Sequence, residues 1–235
     1  MPSGARPRIG AAPGELEIVQ RFVNTLDIEA GTDELDSPAA LTTWLERHGL
    51  GAGQGRRTSP PPAARQAPGD AADVSATAAD LRRAVALREA LRAVLRSHVP
   101  AMADGPAPGA VTGGAGGAGG AGGAGGAGRE LPGIAAALRT RLEVSDDGRV
   151  AVVPAGSGAA AALARILLIV AEAGGNGTWS RLKACSAADC QWVFYDRSPT
   201  RTGCWCSMRV CGSRSKSRAY RDRAAARTGN ARGDG

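Results

Sequence analysis

CSAADCQWVFYDRSPTRTGCWCSMRVCGSRSKSRAY, residues Cys185 to Tyr220, holds all five cysteines of this 235-residue chain. Four of them form two matched pairs, Cys185-x4-Cys190 and Cys206-x4-Cys211, with fifteen residues between the pairs. Two short loops that each offer two thiolates are what a tetrahedral zinc ion needs. The spacing predicts a zinc site of Cys185, Cys190, Cys206 and Cys211. Gln191 to Asp196 carries Trp192, Val193, Phe194 and Tyr195, a strand signal. Asp196-Arg197-Ser198-Pro199 turns the chain, and Arg201 to Trp205 is expected to return as the second strand of a hairpin. From Gly212 onward the pattern reads as a basic helix. So small a module has little core, and metal binding would supply most of its folding free energy, on the order of 10 kcal/mol or more. Cys204 is left over. With Cys206 as ligand the two loops are equal, whereas Cys204 would need an x6 loop, so Cys206 is the ligand and Cys204 lies nearby. Disulfides and an iron–sulfur cluster are the competing readings. The odd cysteine count and the knuckle spacing favour zinc over both.

Charge singles out the same region. The chain carries a net +7, yet residues 181–235 hold 12 Lys or Arg against 4 Asp, while the preceding residues hold 17 basic and 18 acidic groups. Six of the eight aromatic residues lie from Trp179 onward, five of them within this stretch. A helix from residue 213 would place Arg214, Arg218 and Arg221 on one face and Lys216, Arg223 and Arg227 nearly opposite. Arg209 adds charge from the second knuckle, as Arg197 and Arg201 do from the expected hairpin. Arginine suits bidentate contacts with phosphate and guanine. The expected nucleic-acid contacts are Arg209, Arg214, Lys216, Arg218, Arg221 and Arg223. A basic tail with nonspecific affinity alone is the plainer reading.

Upstream, the chain reads as mainly α. Residues 1–14 are expected to be a disordered tail. Leu16, Val19, Phe22, Val23 and Leu26 recur at helical spacing from Glu15 to Leu26. Asn24 and Asp27 beside that stripe could line a pocket, but a helix-end role fits them better. Ser37-Pro38 is an N-cap with a proline at N1. The helix it opens carries Leu41, Trp44, Leu45 and His48 and stops at Gly49. His48 belongs at the helix end, not to a site. Flexible loops are expected at about 51–73 and 101–129, the latter containing five Gly-Gly-Ala copies. Between them, Thr77 to about His98 forms a helix with Leu81, Val85, Leu87, Leu91, Val94 and Leu95 inward. Arg82, Arg83, Arg88, Arg92 and Arg96 read as its solvated face. Leu131 to about Leu142 reads as a helix with Ile134, Leu138 and Leu142 inward. Asp146-Asp147-Gly148 marks a small hairpin turn, and an apolar helix follows from about Ala159 to Glu172.

The fold class is therefore a helical domain, 15–175, with a small hairpin, followed by a knuckle–hairpin–knuckle–helix zinc finger, 181–227, and a tail, 228–235. The sequence has no signal-peptide pattern and no apolar run of roughly 20 residues, so a cytoplasmic protein without a membrane partner is expected. No Walker loop, dinucleotide fingerprint or nucleophile elbow occurs, and two histidines leave little material for acid–base chemistry. A non-enzyme is expected.

The cysteine stretch resembles the CGNR zinc-finger family. The similarity rests on Cys185-x4-Cys190, Trp192 to Ser198, Trp205-Cys206-Ser207-Met208-x-x-Cys211-Gly212-Ser213-Arg214-x-Lys216 and Tyr220-Arg221-x-Arg223. Phe22-Val23-Asn24-Thr25, Leu41-x-x-Trp44-Leu45 and Leu87-Arg88-Glu89-Ala90-Leu91 resemble the helical domain that usually precedes that finger. The resemblance implies a bacterial stress-induced transcription regulator whose finger binds Zn2+ and DNA. A small-molecule or protein signal would act at the helical domain, with a homodimer as an option. A zinc-stabilised protein-interaction or RNA-binding module is the alternative, with Trp192 or Tyr195 stacking on bases. Ser213 stands where the family's name-giving Asn belongs. Either residue can hydrogen-bond backbone at a helix start, so the fold is expected to survive.

Overall fold

A computed structural model describes residues 10–50, 75–100 and 124–230, apart from the side chains of 124–129 and 222–230. The loop expected at 51–73 lies outside these residues, as do 1–9 and 231–235. Among the described residues, six α-helices and three two-stranded antiparallel sheets follow one another. They are α1 (Leu16–Val23), β1 (Leu26–Asp27), β2 (Thr32–Asp33), α2 (Pro38–Arg47), α3 (Ala78–Ser97), α4 (Ala124–Ala137), β3 (Thr140–Val144), β4 (Val150–Pro154), α5 (Gly158–Gly175), β5 (Leu182–Ala184), β6 (Val193–Tyr195) and α6 (Ser213–Asn230).

Local chemistry sets the helix ends. The Ser37 side chain accepts from the Ala40 amide, and Pro38 fills the first turn where no intrahelical donor is needed. Thr77 and Asp80 form a reciprocal capping box at the start of α3. His48 ends α2, stacked on Trp44 with its Nδ1 on the Trp44 carbonyl. α5 is long and apolar enough to span a bilayer by composition, but Ala162, Leu163, Ile166 and Ile169 are buried against α1, α2 and α3. It serves as the central core helix.

The main core joins Val19, Phe22, Val23, Leu41, Leu45, Leu87, Leu91, Leu95, Leu163 and Ile166. Leu182, Ala184 and Val193 belong to it as well, so β5 and β6 pack into the same core as the helices. Gly10 to Gly14, expected as tail, are drawn in too: Ala12 is buried, and the Gly10 carbonyl accepts the Tyr195 amide. A Cβ on Gly10 would stand 2.7 Å from the Tyr195 carbonyl oxygen, and its φ of +54° favours glycine.

Several expectations are corrected. Arg88 and Arg92 are not solvated; they are 2 % and 3 % exposed. Arg88 makes a two-pronged pair with Asp33 at 2.6 and 2.8 Å and also reaches Thr25 and Glu89. Burial alone would raise the Asp33 carboxyl, and the Arg88 guanidinium overrides it and holds the carboxyl low. Arg92 bonds Glu89 and the carbonyls of Val23 and Gln191. Every nitrogen of these guanidinium groups has an acceptor, so burial is tolerated.

The loop drawn to 129 also ends sooner, because α4 opens at Ala124 within the Gly-Gly-Ala run. Leu142, read as inward on a helix, is 67 % exposed on β3. The hairpin itself forms as expected, with Leu142 opposite Val152 and Val144 opposite Val150 around the Asp146-Asp147-Gly148 turn. Asp27 lies in β1, not at a helix end, and accepts from the Ala30 amide across the β1–β2 turn.

Candidate metal centre and basic groove

β6 pairs with β5, upstream of the first knuckle, with Leu182 opposite Tyr195 and Ala184 opposite Val193. The expected partner, 201–205, forms no strand. The reason lies in a buried ion pair. Lys183, 1 % exposed, donates to the Asp196 carboxylate at 2.8 Å and to the carbonyls of Arg201 and Gly203. Asp196 in turn accepts from the amides of Ser198 and Gly203. A Cβ on Gly203 would meet that carboxylate at 2.9 Å, so only glycine lets the chain pass there. The returning segment thus spends its backbone groups on Lys183 and Asp196 and not on a ladder. Burial would raise the Asp196 carboxyl, but the Lys183 ammonium and the amide bonds hold it far below the usual carboxylate range.

The first knuckle therefore caps the β5–β6 hairpin, and Cys185 extends that hairpin by donating its amide to the Trp192 carbonyl. The second knuckle begins at Cys206 and leads into a π-helical turn over Met208–Gly212. Ser207 accepts from the Val210 amide, and the Gly212 amide reaches back to the Ser207 carbonyl. Gly212 is confined, since a Cβ would meet Met208 and Trp205 side-chain atoms at 3.1 to 3.3 Å. Ser213 does bond backbone, donating from its hydroxyl to the Met208 carbonyl at 3.2 Å.

These turns bring the sulfurs of Cys185, Cys190, Cys206 and Cys211 within 4.8 Å of one another, and all four residues are buried. The Cys190–Cys206 and Cys206–Cys211 sulfur separations are both 3.6 Å. A disulfide requires about 2.05 Å. A tetrahedron with metal–sulfur bonds of about 2.3 Å has edges of about 3.8 Å, close to the separations here. Phe194, Trp192 and Trp205 pack around the cluster. The hydrogen bond to Cys190 and burial together push the Cys185 thiol up to about 12, although Cys206 opposes the shift. A bound cation inverts this preference by deprotonating its thiolate ligands. Donor set, spacing and burial fit a closed four-thiolate metal site. Cys204 stands outside it, half-exposed, with its sulfur 3.5 Å from the Thr202 carbonyl.

Beside the cluster, the π-helical turn and α6 form a concave surface of about 510 Å³ lined by Arg209, Val210, Ser213, Arg214, Ser217, Arg218 and Arg221. Four of the six expected nucleic-acid contacts are thus brought together. Lys216 lies on α6 outside this lining, and Arg223 lies on α6 with its side chain outside the described set. The groove is not bare of anions. Glu29, from the β1–β2 turn, pairs with Arg214 at 2.5 Å, and Asp189 of the first knuckle approaches Arg218 at 3.6 Å. Trp192 packs on the cysteine cluster, and Tyr195 packs on the main core beneath Arg197.

The finger is fastened to the helices by side chain to backbone bonds that sequence reading missed. Asn24, at the C-cap of α1, donates to the Val193 carbonyl at 2.9 Å and accepts its amide at 2.8 Å. Gln20 donates to the same carbonyl, and His98 meets the Leu182 carbonyl through Nδ1. Asn24 therefore fills the helix-end role expected of it and also serves as a strand partner for β6. Arg88 and Arg92 lie at helical spacing from Ala84, Leu91 and Leu95, which marked the inward face.

A helical body carrying a four-cysteine finger with an adjoining basic groove defines the class: a helical protein with a C-terminal zinc-finger module. Residues 16–174 match the ABATE family model, whose description reads "Putative stress-induced transcription regulator", and residues 181–224 match the CGNR zinc finger. The chain belongs to the ABATE family and carries a CGNR finger behind the family domain. No curated protein sequence matches it.

Proposed function

We propose that the protein is a zinc-dependent, DNA-binding transcription regulator that acts by binding and not by catalysis. The four thiolates of Cys185, Cys190, Cys206 and Cys211 would hold Zn2+, whose role is to close the finger. Arg209, Arg214, Arg218 and Arg221 would meet the phosphate backbone and base edges, with Lys216 and Arg223 adding charge from the same helix. The helical body would receive the signal, a small molecule or a protein. The observation that carries this reading is the convergence of four arginines on one concave surface next to the cysteine cluster. Family membership supports the regulatory role.

The test measures metal content and duplex DNA affinity, for the intact chain and for Cys211→Ser. One zinc per intact chain is expected. Affinity should fall with salt at a log–log slope of about −0.9 per phosphate neutralised, so about −3 to −4 for four arginines. Cys211→Ser should lose both metal and DNA. Intact protein without zinc, or duplex affinity unchanged in an Arg218→Ala/Arg221→Ala variant, would refute the proposal. Tighter binding of single-stranded RNA than of duplex DNA would favour the RNA-binding alternative.

A further inference from the structure

The β3–β4 hairpin stands out because it leaves Leu142, Val144, Val150 and Val152 on one face with exposures of 67, 68, 63 and 49 %. Lone two-stranded hairpins are marginally stable in water. Among the described residues the sheet stops at these two strands. Its free edge is set by ladder parity. The amides of Ser145 and Ala155 donate to the carbonyls of Arg149 and Arg139, so the odd-numbered residues of β3 face β4. The amides and carbonyls of Thr140, Leu142 and Val144 then point away from the hairpin. The opposite edge is blunted, because Pro154 lacks a donor and α5 packs against β4. The β3 edge has no proline and continues through five residues.

We propose that β3 pairs antiparallel with β3 of a second copy, about a two-fold axis through Leu142, to form a continuous four-stranded sheet. The register follows from charge. Centred on Leu142, the pairing sets Arg141 opposite Glu143 of the second copy, twice, in the non-hydrogen-bonded positions where side chains approach most closely. Centring on Arg141 sets arginine against arginine on the axis, which offsets its Glu143–Arg139 pairs, and centring on Glu143 sets glutamate against glutamate. The Leu142 register also matches outward donors with outward acceptors at Thr140, Leu142 and Val144. It lays Leu142 beside its copy and Val144 beside Thr140 on the apolar face. The contact is isologous, as closed dimers require. It is smaller than the roughly 800 Å² per partner of a standard interface, so the dimer is concentration-dependent.

Sedimentation equilibrium of the full-length, metal-loaded protein from about 1 µM to about 1 mM covers the range expected for so small an interface. Wild type should shift from monomer to dimer. Arg141→Glu and Glu143→Arg should each weaken self-association roughly tenfold or more, because each sets two like-charged pairs across the axis. Mixing the two variants should restore dimer as a heterodimer, since one is acidic and the other basic at both positions. Within each variant chain the native Arg141–Glu143 ion pair is lost and stays lost on mixing, so recovery reports the contact between copies. Wild type that stays monomeric throughout, single variants that associate like wild type, or a mixture that fails to recover would each overturn the inference. Far-UV circular dichroism confirms that the variants are folded.

Discussion

Asn24→Ala tests whether finger and helices form one folded body. The Val193 residue is fully buried, and its amide has the Asn24 carboxamide oxygen as partner at 2.8 Å. Truncation leaves that N–H without an acceptor, at a cost of about 1–3 kcal/mol. The Val193 carbonyl loses the bond from Asn24 but keeps the one from Gln20 at 3.2 Å, so its share is smaller, about 0.5–1.5 kcal/mol. The expected sum is about 1.5–4.5 kcal/mol. For a chain of this size it lowers Tm by about 3–18 °C. Thermal unfolding would be followed with two probes, far-UV circular dichroism for the helices and the thiolate absorption of cobalt-loaded protein for the finger. Both transitions should move together, because Leu182, Ala184 and Val193 sit in the core built by α1, α3 and α5. Asn24→Asp retains the acceptor and should cost less than Ala. A loss below about 0.5 kcal/mol, or a shift seen only by the finger probe, would refute the reasoning.

Two further outcomes follow from ion pairs at the finger. Glu29→Gln frees Arg214 from an exposed ion pair, so duplex affinity in a binding titration should rise by up to about fivefold; unchanged or weaker binding would remove Glu29 as a competitor for phosphate. Asp196, with its carboxyl held low in the folded state, contributes stability that is fully present above its unfolded value of about 3.9 and is lost as pH falls below it. Asp196→Asn strands the buried Lys183 ammonium and should cost about 3–5 kcal/mol in urea unfolding at pH 7. It should also flatten the wild-type loss of stability below about pH 4, and a variant as acid-sensitive as wild type would assign that loss elsewhere.

The features legible in the sequence are those fixed by near neighbours in the chain. Ser37-Pro38, Thr77 with its helix, and Asp146-Asp147-Gly148 act within four or five residues, so their turns and caps stand where the pattern put them. The two Cys-x4-Cys pairs are of the same kind, since each loop is short enough to set its own curvature. Helical periodicity likewise gathered Arg214, Arg218 and Arg221 on one face of α6. Tertiary structure decided whatever depends on partners far away in sequence. The aromatic and β-branched run within Gln191 to Asp196 announced a strand but not its neighbour, and the buried Lys183–Asp196 pair gave β6 to β5 in place of 201–205. The arginines of α3 follow a period that cannot distinguish water from a buried carboxylate. Arg88 and Arg92 went inward because Asp33, Glu89 and the carbonyls of Val23 and Gln191 stood ready to give every guanidinium nitrogen an acceptor, and burying a charge is tolerable only where the rest of the fold supplies those partners.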